Sequence, residues 1–304
     1  MEVVAVAGCS MGALVGALHA AGRLDDYVEW VKGLSQLDVI RLLDPSLSAP
    51  GAIRAGKLLS RMGDLIGGLR IEDLPIPYTA VATDLLSRKE VWFQHGPVEV
   101  AVRASIAMPG IFTPVMLNGR VLVDGGIMDP VPVAPTASVR SDLTVAVDLT
   151  GERVGGTAEE GAATAAVTAE ARPIEEWTER FRRSASQLLD RDLVRSLTSR
   201  FVPADPDEPA GDGGAAPASD VLDALPPGLG KFDVMTQSLE AMQALVTRYR
   251  MAGHPPDVLV RVPKDACRVL DFHRAEEMIE LGRTLTAEAL DRAELPANGD
   301  VAAP

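Results

Sequence analysis

Val3-Val4-Ala5-Val6-Ala7-Gly8-Cys9-Ser10-Met11-Gly12-Ala13-Leu14-Val15-Gly16-Ala17-Leu18 is the stretch on which the reading of this chain turns. A short run of small and β-branched apolar residues passes straight into G-x-S-x-G and then into an Ala/Leu-rich helical pattern. That order of strand, sharp turn and helix is the context in which the pattern forms a nucleophile elbow. The turn lifts the Ser10 hydroxyl clear of the sheet, with Gly8 and Gly12 leaving room for the strained backbone and for close helix packing. Ser10 then stands at a helix N-terminus, where the Met11 N–H and the positive end of the helix face an oxygen on which charge develops during acyl transfer. The bland alternative is a chance glycine–serine turn.

Outward from the elbow, strands and helical segments alternate. A helix is expected over residues 11–21 and a largely helical stretch from Asp25 to about Leu43, followed by turns around Asp44-Pro45 and Ala49-Pro50-Gly51. Tyr78–Thr83 and Lys89–Phe93 read as two strands of a hairpin closed at Leu85–Arg88. Pro97 opens a helix to about Ala107, and Asn118-Gly119 is a two-residue hairpin turn. Arg120–Val123 is a short apolar strand that ends in Asp124-Gly125-Gly126, and Leu143–Leu149 is a further strand. This alternation specifies an α/β sheet with helices on both faces.

Composition narrows the function classes. The chain has 304 residues, 47% of them hydrophobic and 24% charged, enough for one enzyme-sized globular unit. Its formal net charge of −14 argues against nucleic acid as a partner and gives no general attraction to anionic membranes. The two cysteines, Cys9 and Cys267, read as reduced thiols, because a disulfide at Cys9 would disturb the elbow. With no leader and no apolar run long enough to span a bilayer, the expectation is a cytoplasmic chain, at most peripheral to membranes.

The character changes after Thr150. Residues 151–172 and 203–230 are rich in Gly, Ala, Pro and acidic residues and read as low-complexity segments. Between them, 173–201 places Ile174, Trp177, Phe181, Leu188, Leu189 and Leu193 at helical spacing among arginines. That amphipathic helix reads as a lid over the body or as a lipid-interface element. Order resumes with a helix over 232–250 that carries Met235, Leu239, Met242, Leu245, Val246 and Tyr249 inward. A strand over 258–262, a closing helix over 274–290 and a disordered tail, 296–304, complete the chain.

A nucleophilic serine needs a base. His19 is too far along the elbow helix and His95 closes a strand, while His254 and His273, the latter with Asp271, could each complete a Ser…Asp…His order. The stronger candidate is Asp124, at the end of an apolar strand, where Gly125-Gly126 lets a backbone or substrate approach closely. Asp-Gly-Gly alone is also a common tight turn.

The residues Gly8–Gly12 with the following Ala-Leu-Val-Gly-Ala-Leu, the run Arg103–Val115, and Leu122–Gly126 with Pro130–Val133 together resemble the bacterial patatin-like phospholipase family. The resemblance covers Glu2 to about Leu149, as the catalytic domain, and extends to Phe232–Leu290, with 151–231 as an insertion. It implies a patatin-like three-layer α/β fold, Ser10 as nucleophile and Asp124 as general base of a dyad, and hydrolysis of lipid or phospholipid esters through an acyl-enzyme. It implies no metal or organic cofactor. Ser105 and Pro109 fall in a family stretch read as support for the strand leading to Asp124. The family also places a G-G-G-x-R-G oxyanion loop on a strand some tens of residues before the elbow, whereas Ser10 lies nine positions after Met1. Gly67-Gly68, Gly155-Gly156 and Gly213-Gly214 do not replace it. The expectation is an N-terminally incomplete catalytic domain, either an acyl hydrolase or a weakly active lipid-binding relative.

Overall fold

The computed structural model describes residues 1–43, 56–109, 111–151, 231–267 and 271–293. The chain divides into two compact units, Met1–Val154 with Met235–Pro304, and Gly155–Val234. The first is described below. The turns at 44–51, Gly155-Gly156, the 173–201 helix, Gly213-Gly214 and the tail at 296–304 lie outside the described residues.

The architecture is α/β. Strand β1 (Val6–Cys9) leads into helix α1 (Met11–Ala20), and α2 (Leu24–Lys32), α3 (Gln36–Leu43) and α4 (Gly56–Ile66) follow. The helical stretch expected from Asp25 to Leu43 is therefore two helices. The break falls where Gly33 ends α2 and Ser35 and Asp38 cap each other: the Asp38 N–H donates to Ser35 Oγ and the Ser35 N–H to the Asp38 carboxylate. Next come β2 (Tyr78–Asp84), β3 (Lys89–Phe93), α5 (Val98–Ser105), β4 (Val115–Leu117) and β5 (Arg120–Asp124). After them stand β6 (Val145–Gly151), α6 (Lys231–Gly253), β7 (Val258–Pro263) and α7 (Ala275–Arg292). Asn118 and Gly119 both have positive φ, 50° and 75°, as a two-residue hairpin turn requires.

Strand β2 organises the main sheet, and every one of its residues is buried. A strand has two hydrogen-bonding flanks. On one, β3 runs antiparallel, from Ala80 opposite Phe93 to Asp84 opposite Lys89. The other is shared: β1 runs parallel to the first half of β2, ending with Cys9 opposite Val81, and β5 runs antiparallel to the second half, ending with Asp124 opposite Ala82. The two strands point at each other and stop at adjacent positions. The outer flank of β1 has no partner among the described residues. β6 and β7 form a separate parallel pair, on which α7 packs through Val258, Val260 and Ala289.

The largest core cluster joins α1, α2, α5 and β2 through Leu14, Leu18, Tyr27, Val31, Tyr78, Val98 and Val102. Close approach of α1 to β1 is made at Gly16, where a Cβ would lie 2.7 Å from Val6 Cγ1. At Gly12 a Cβ would meet nothing within 4 Å, which corrects the expectation that Gly12 serves that packing.

Helix α6 departs from its expected orientation. Met235, Met242, Leu245 and Tyr249 are exposed, whereas Thr247 is buried and Leu239, Gln243 and Val246 are half-buried. The inward face is the one with bonding partners: Gln243 reaches Gly126, and Arg250 forms an ion pair with Glu90 on β3.

Tyr78 tests the docking of α1 on β2, since its buried hydroxyl donates to Ala13 O at 2.7 Å. Tyr78→Phe should destabilise the protein by about 1 kcal/mol, a fall in Tm of a few degrees by thermal unfolding. An unchanged Tm would show that this bond does not hold the helix.

Candidate active site

Ser10 stands where β1 must leave the sheet, because Asp124 occupies the next position on the same flank of β2. Its backbone, at φ 52° and ψ −126°, lies outside the ordinary basins of an L-residue, a conformation that costs roughly 1–3 kcal/mol. Ser105, the last residue of α5, holds it there: the Ser10 N–H is shared between Ser105 Oγ at 3.0 Å and Ser105 O at 3.2 Å. The Ser105 hydroxyl donates in turn to Val81 O at 2.6 Å, on β2 at the point where β1 ends. Ser105 therefore anchors the Ser10 backbone rather than only the strand leading to Asp124.

Two residues later the same segment holds the other half of the site, since Asp124 N–H donates to Ala107 O at 3.0 Å. The turn after Asp124 lies against the end of β1. A Cβ at Gly125 would sit 2.1 Å from Val81 O and 3.0 Å from Cys9 Cβ, and one at Gly8 would sit 2.3 Å from the Gly12 carbonyl carbon, so neither position admits a side chain. These close approaches bring the Asp-Gly-Gly turn and the elbow together.

The Asp124 carboxylate is buried, and Oδ1 accepts the Gly126 N–H at 2.8 Å. Burial pushes its pKa up to about 6; the nearby Ser10 hydroxyl and the Gly126 N–H oppose the rise. Oδ2 is buried and carries no conventional hydrogen bond among the described residues, so it is the oxygen left to take a proton. The Met11 and Gly12 N–H groups belong to the first turn of α1 and have no intrahelical partners, while those of Ala13 and Leu14 both go to Ser10 O. The site thus combines a half-buried hydroxyl, an adjacent carboxylate and backbone donors at a helix start.

No histidine makes a hydrogen bond to Ser10 or Asp124 among the described residues. His254 lies exposed after α6, and His273 lies in the short turn Phe272–Arg274 before α7. Two groups at the site escaped the sequence reading. Asp129, five residues after Asp124, is buried, its pKa is also pushed up to about 6 by burial, and its Oδ1 has no partner among the described residues. Gln243 donates from Nε2 to Gly126 O at 3.0 Å. Asp129 precedes Pro130 in a stretch already singled out, so its polarity inside an apolar run was a usable signal; Gln243 offered none. The Cys9 thiol donates to Pro130 O at 3.2 Å, and burial and the two carboxylates push its pKa well above that of an ordinary thiol. Among the described residues no cluster of three or more His, Cys, Asp or Glu side chains is placed to hold a metal ion, and no helix is long and apolar enough to cross a membrane.

The family model for patatin-like phospholipases matches residues 2–137, which contain both Ser10 and Asp124. An uncharacterized NTE family protein of Mycobacterium tuberculosis is 44% identical over 326 residues, covering 99% of this chain and 87% of its own length; one of Mycobacterium bovis matches equally. A patatin-like phospholipase domain-containing protein of Caenorhabditis elegans is 29% identical over 151 residues, 47% of this chain and 11% of its own length. The chain belongs to the patatin-like phospholipase family.

Proposed function

We propose that this chain is a serine acyl-ester hydrolase acting on lipid esters, phospholipids among them, through a Ser10–Asp124 dyad and an acyl-enzyme. The observation that carries this reading is the meeting of a strained Ser10 with a buried carboxylate that has one oxygen tied and one open. Asp124 Oδ2 takes the Ser10 proton as Oγ attacks the ester carbonyl, and the oxyanion forms against the Met11 N–H. The proton passes from Asp124 to the departing alcohol. A water molecule then gives its proton to the same carboxylate and attacks the acyl-enzyme, and that proton passes to Ser10 Oγ as the fatty acid is released. A carboxylate is a weaker base than imidazole, and desolvation raises its basicity toward the range useful near neutral pH. Such an enzyme takes part in lipid degradation, in the cytoplasm and with peripheral membrane contact through 173–201. That contact rests on the amphipathic sequence pattern alone.

A second reading, a lipid-binding or regulatory relative with little turnover, draws on one observation. Among the described residues, the outer flank of β1 has no partner.

Fluorophosphonate labelling with mass mapping separates the two readings. A Ser10 adduct that disappears in Ser10→Ala and in Asp124→Asn supports the hydrolase, and each variant should lose at least about 10³-fold in ester turnover. Absence of an adduct on the folded wild-type chain would favour the binding reading.

Because Asp124 must be ionised to act as base, kcat/KM should rise tenfold per pH unit below about 6 and level off above it. An acidic limb near pH 4 would exclude a buried Asp124 as the base.

The same burial has a stability consequence. The folded-state pKa lies above the ordinary 3.8, so the ionised form is penalised in the folded protein by as much as roughly 3 kcal/mol; the penalty is absent below about pH 4 and fully present above about pH 6. Asp124→Asn should therefore raise stability by about 1–3 kcal/mol at pH 8 and make little difference at pH 4, measured by urea unfolding. A variant less stable than wild type at pH 8 would contradict this.

A further inference from the structure

Helix α6 touches the site through Gln243, whose Nε2 donates to Gly126 O at 3.0 Å. The other polar group of the same glycine, its N–H, donates to Asp124 Oδ1 at 2.8 Å. Gly126 is thus held at both ends, by the carboxylate of the dyad and by an amide from a helix more than a hundred residues away in sequence. The two side chains converge on it: a Cβ at Gly126 would lie 3.1 Å from Asp124 Oδ1 and 3.3 Å from Gln243 Nε2. The amide orientation follows from its partner, since only the nitrogen end of Gln243 can donate to a carbonyl oxygen.

The rest of the inward face of α6 makes the contact a fixed one. Thr247, buried one turn on, donates its hydroxyl back to Gln243 O at 2.9 Å, and Arg250 pairs with Glu90 on β3. The helix leaves Met242, Leu245 and Tyr249 exposed on its other side, so its hold on the Asp-Gly-Gly turn runs through polar groups.

We propose that Gln243 is a positioning residue for the dyad: it holds the Gly126 peptide so that the Gly126 N–H occupies Asp124 Oδ1 and leaves Oδ2 to take the Ser10 proton. This inference rests on the hydrolase reading. The Gly126 N–H is also one of the two groups that oppose the burial-driven rise in the Asp124 pKa, the other being the Ser10 hydroxyl. The Cys9 thiol on β1 has Asp124 and Asp129, of the loop after β5, as its charged neighbours, and a change at 243 leaves Cys9 and Asp129 in place.

The test compares wild type with Gln243→Met, which keeps the side-chain length and removes the donor, and with Gln243→Glu, which keeps the shape but cannot donate when ionised. Two readouts are needed: kcat and KM against pH with a short-chain p-nitrophenyl ester, and the Asp124 carboxyl titration followed by 13C NMR, assigned by its loss in Asp124→Asn. For both variants kcat should fall roughly tenfold to a hundredfold with KM within about threefold of wild type. The acidic limb and the Asp124 titration should move up together by about half a pH unit or more, further in Gln243→Glu because of its added negative charge. A folded variant with wild-type kcat, or one with reduced kcat whose pH limb and carboxyl titration stay in place, would overturn the proposal. If the wild-type chain turns over no ester, the hydrolase reading fails, and the NMR titration alone then decides whether Gln243 governs Asp124.

Discussion

The site depends on one topological constraint, the sharing of a single flank of β2 by two strands that run toward each other. β1 reaches Val81 and β5 reaches Ala82, so no hydrogen-bonding position is left between them. Ser10 has nowhere to go but out of the sheet, and its forced backbone geometry is the local consequence of that collision. The same meeting makes Ser10 and Asp124 neighbours although 113 residues of chain separate Oγ-bearing and carboxylate-bearing positions, counted from their numbers. Glycine at 125 follows from the same crowding, since its Cα is pressed onto the Val81 carbonyl.

Holding two chain ends in opposition requires an outside clamp, and the segment at the end of α5 supplies it. Ser105 binds the backbone of Ser10 and, through its hydroxyl, Val81; Ala107 binds the backbone of Asp124. One three-residue stretch therefore sets the height of both Ser10 and Asp124 against β2. The strain at Ser10 persists because these bonds over-determine the turn, and their cost is offset by the tightly buried helix and strand on either side of it.

What could be read from the sequence divides along the same lines. The elbow was legible because strand, turn and helix are contiguous and each has its own periodicity, and Asp124 because it ends an apolar strand at a glycine pair. Residues that act across the fold were not legible in their roles. Ser105 was recognised within its stretch, but nothing local says that it bonds to a residue 95 positions earlier. Gln243 sits in a helix whose apolar stripe pointed to the opposite orientation. Periodicity identifies an apolar face; it cannot say whether the fold spends that face on the core when the other face carries Gln243, Thr247 and Arg250, each with a partner or a buried position. The split at Gly33–Ser35 was legible in principle, because Ser35 and Asp38 have the spacing of a capping box.

Desolvation at Asp124 does two things that pull against each other. A carboxylate surrounded by water would be a poor base for a serine hydroxyl, and one fully stripped of hydrogen bonds would stay protonated at neutral pH. In the structure burial raises the Asp124 carboxyl while the Ser10 hydroxyl and the Gly126 N–H on Oδ1 oppose the rise, which places the pKa at about 6. Asp129 reaches a similar pKa through burial, without any such donor. Two carboxylates with similar titration thus differ in what surrounds them: only Asp124 has a hydroxyl beside it and an oriented N–H to fix which oxygen is free. Basicity alone therefore does not distinguish the two carboxylates; the arrangement of donors around each does.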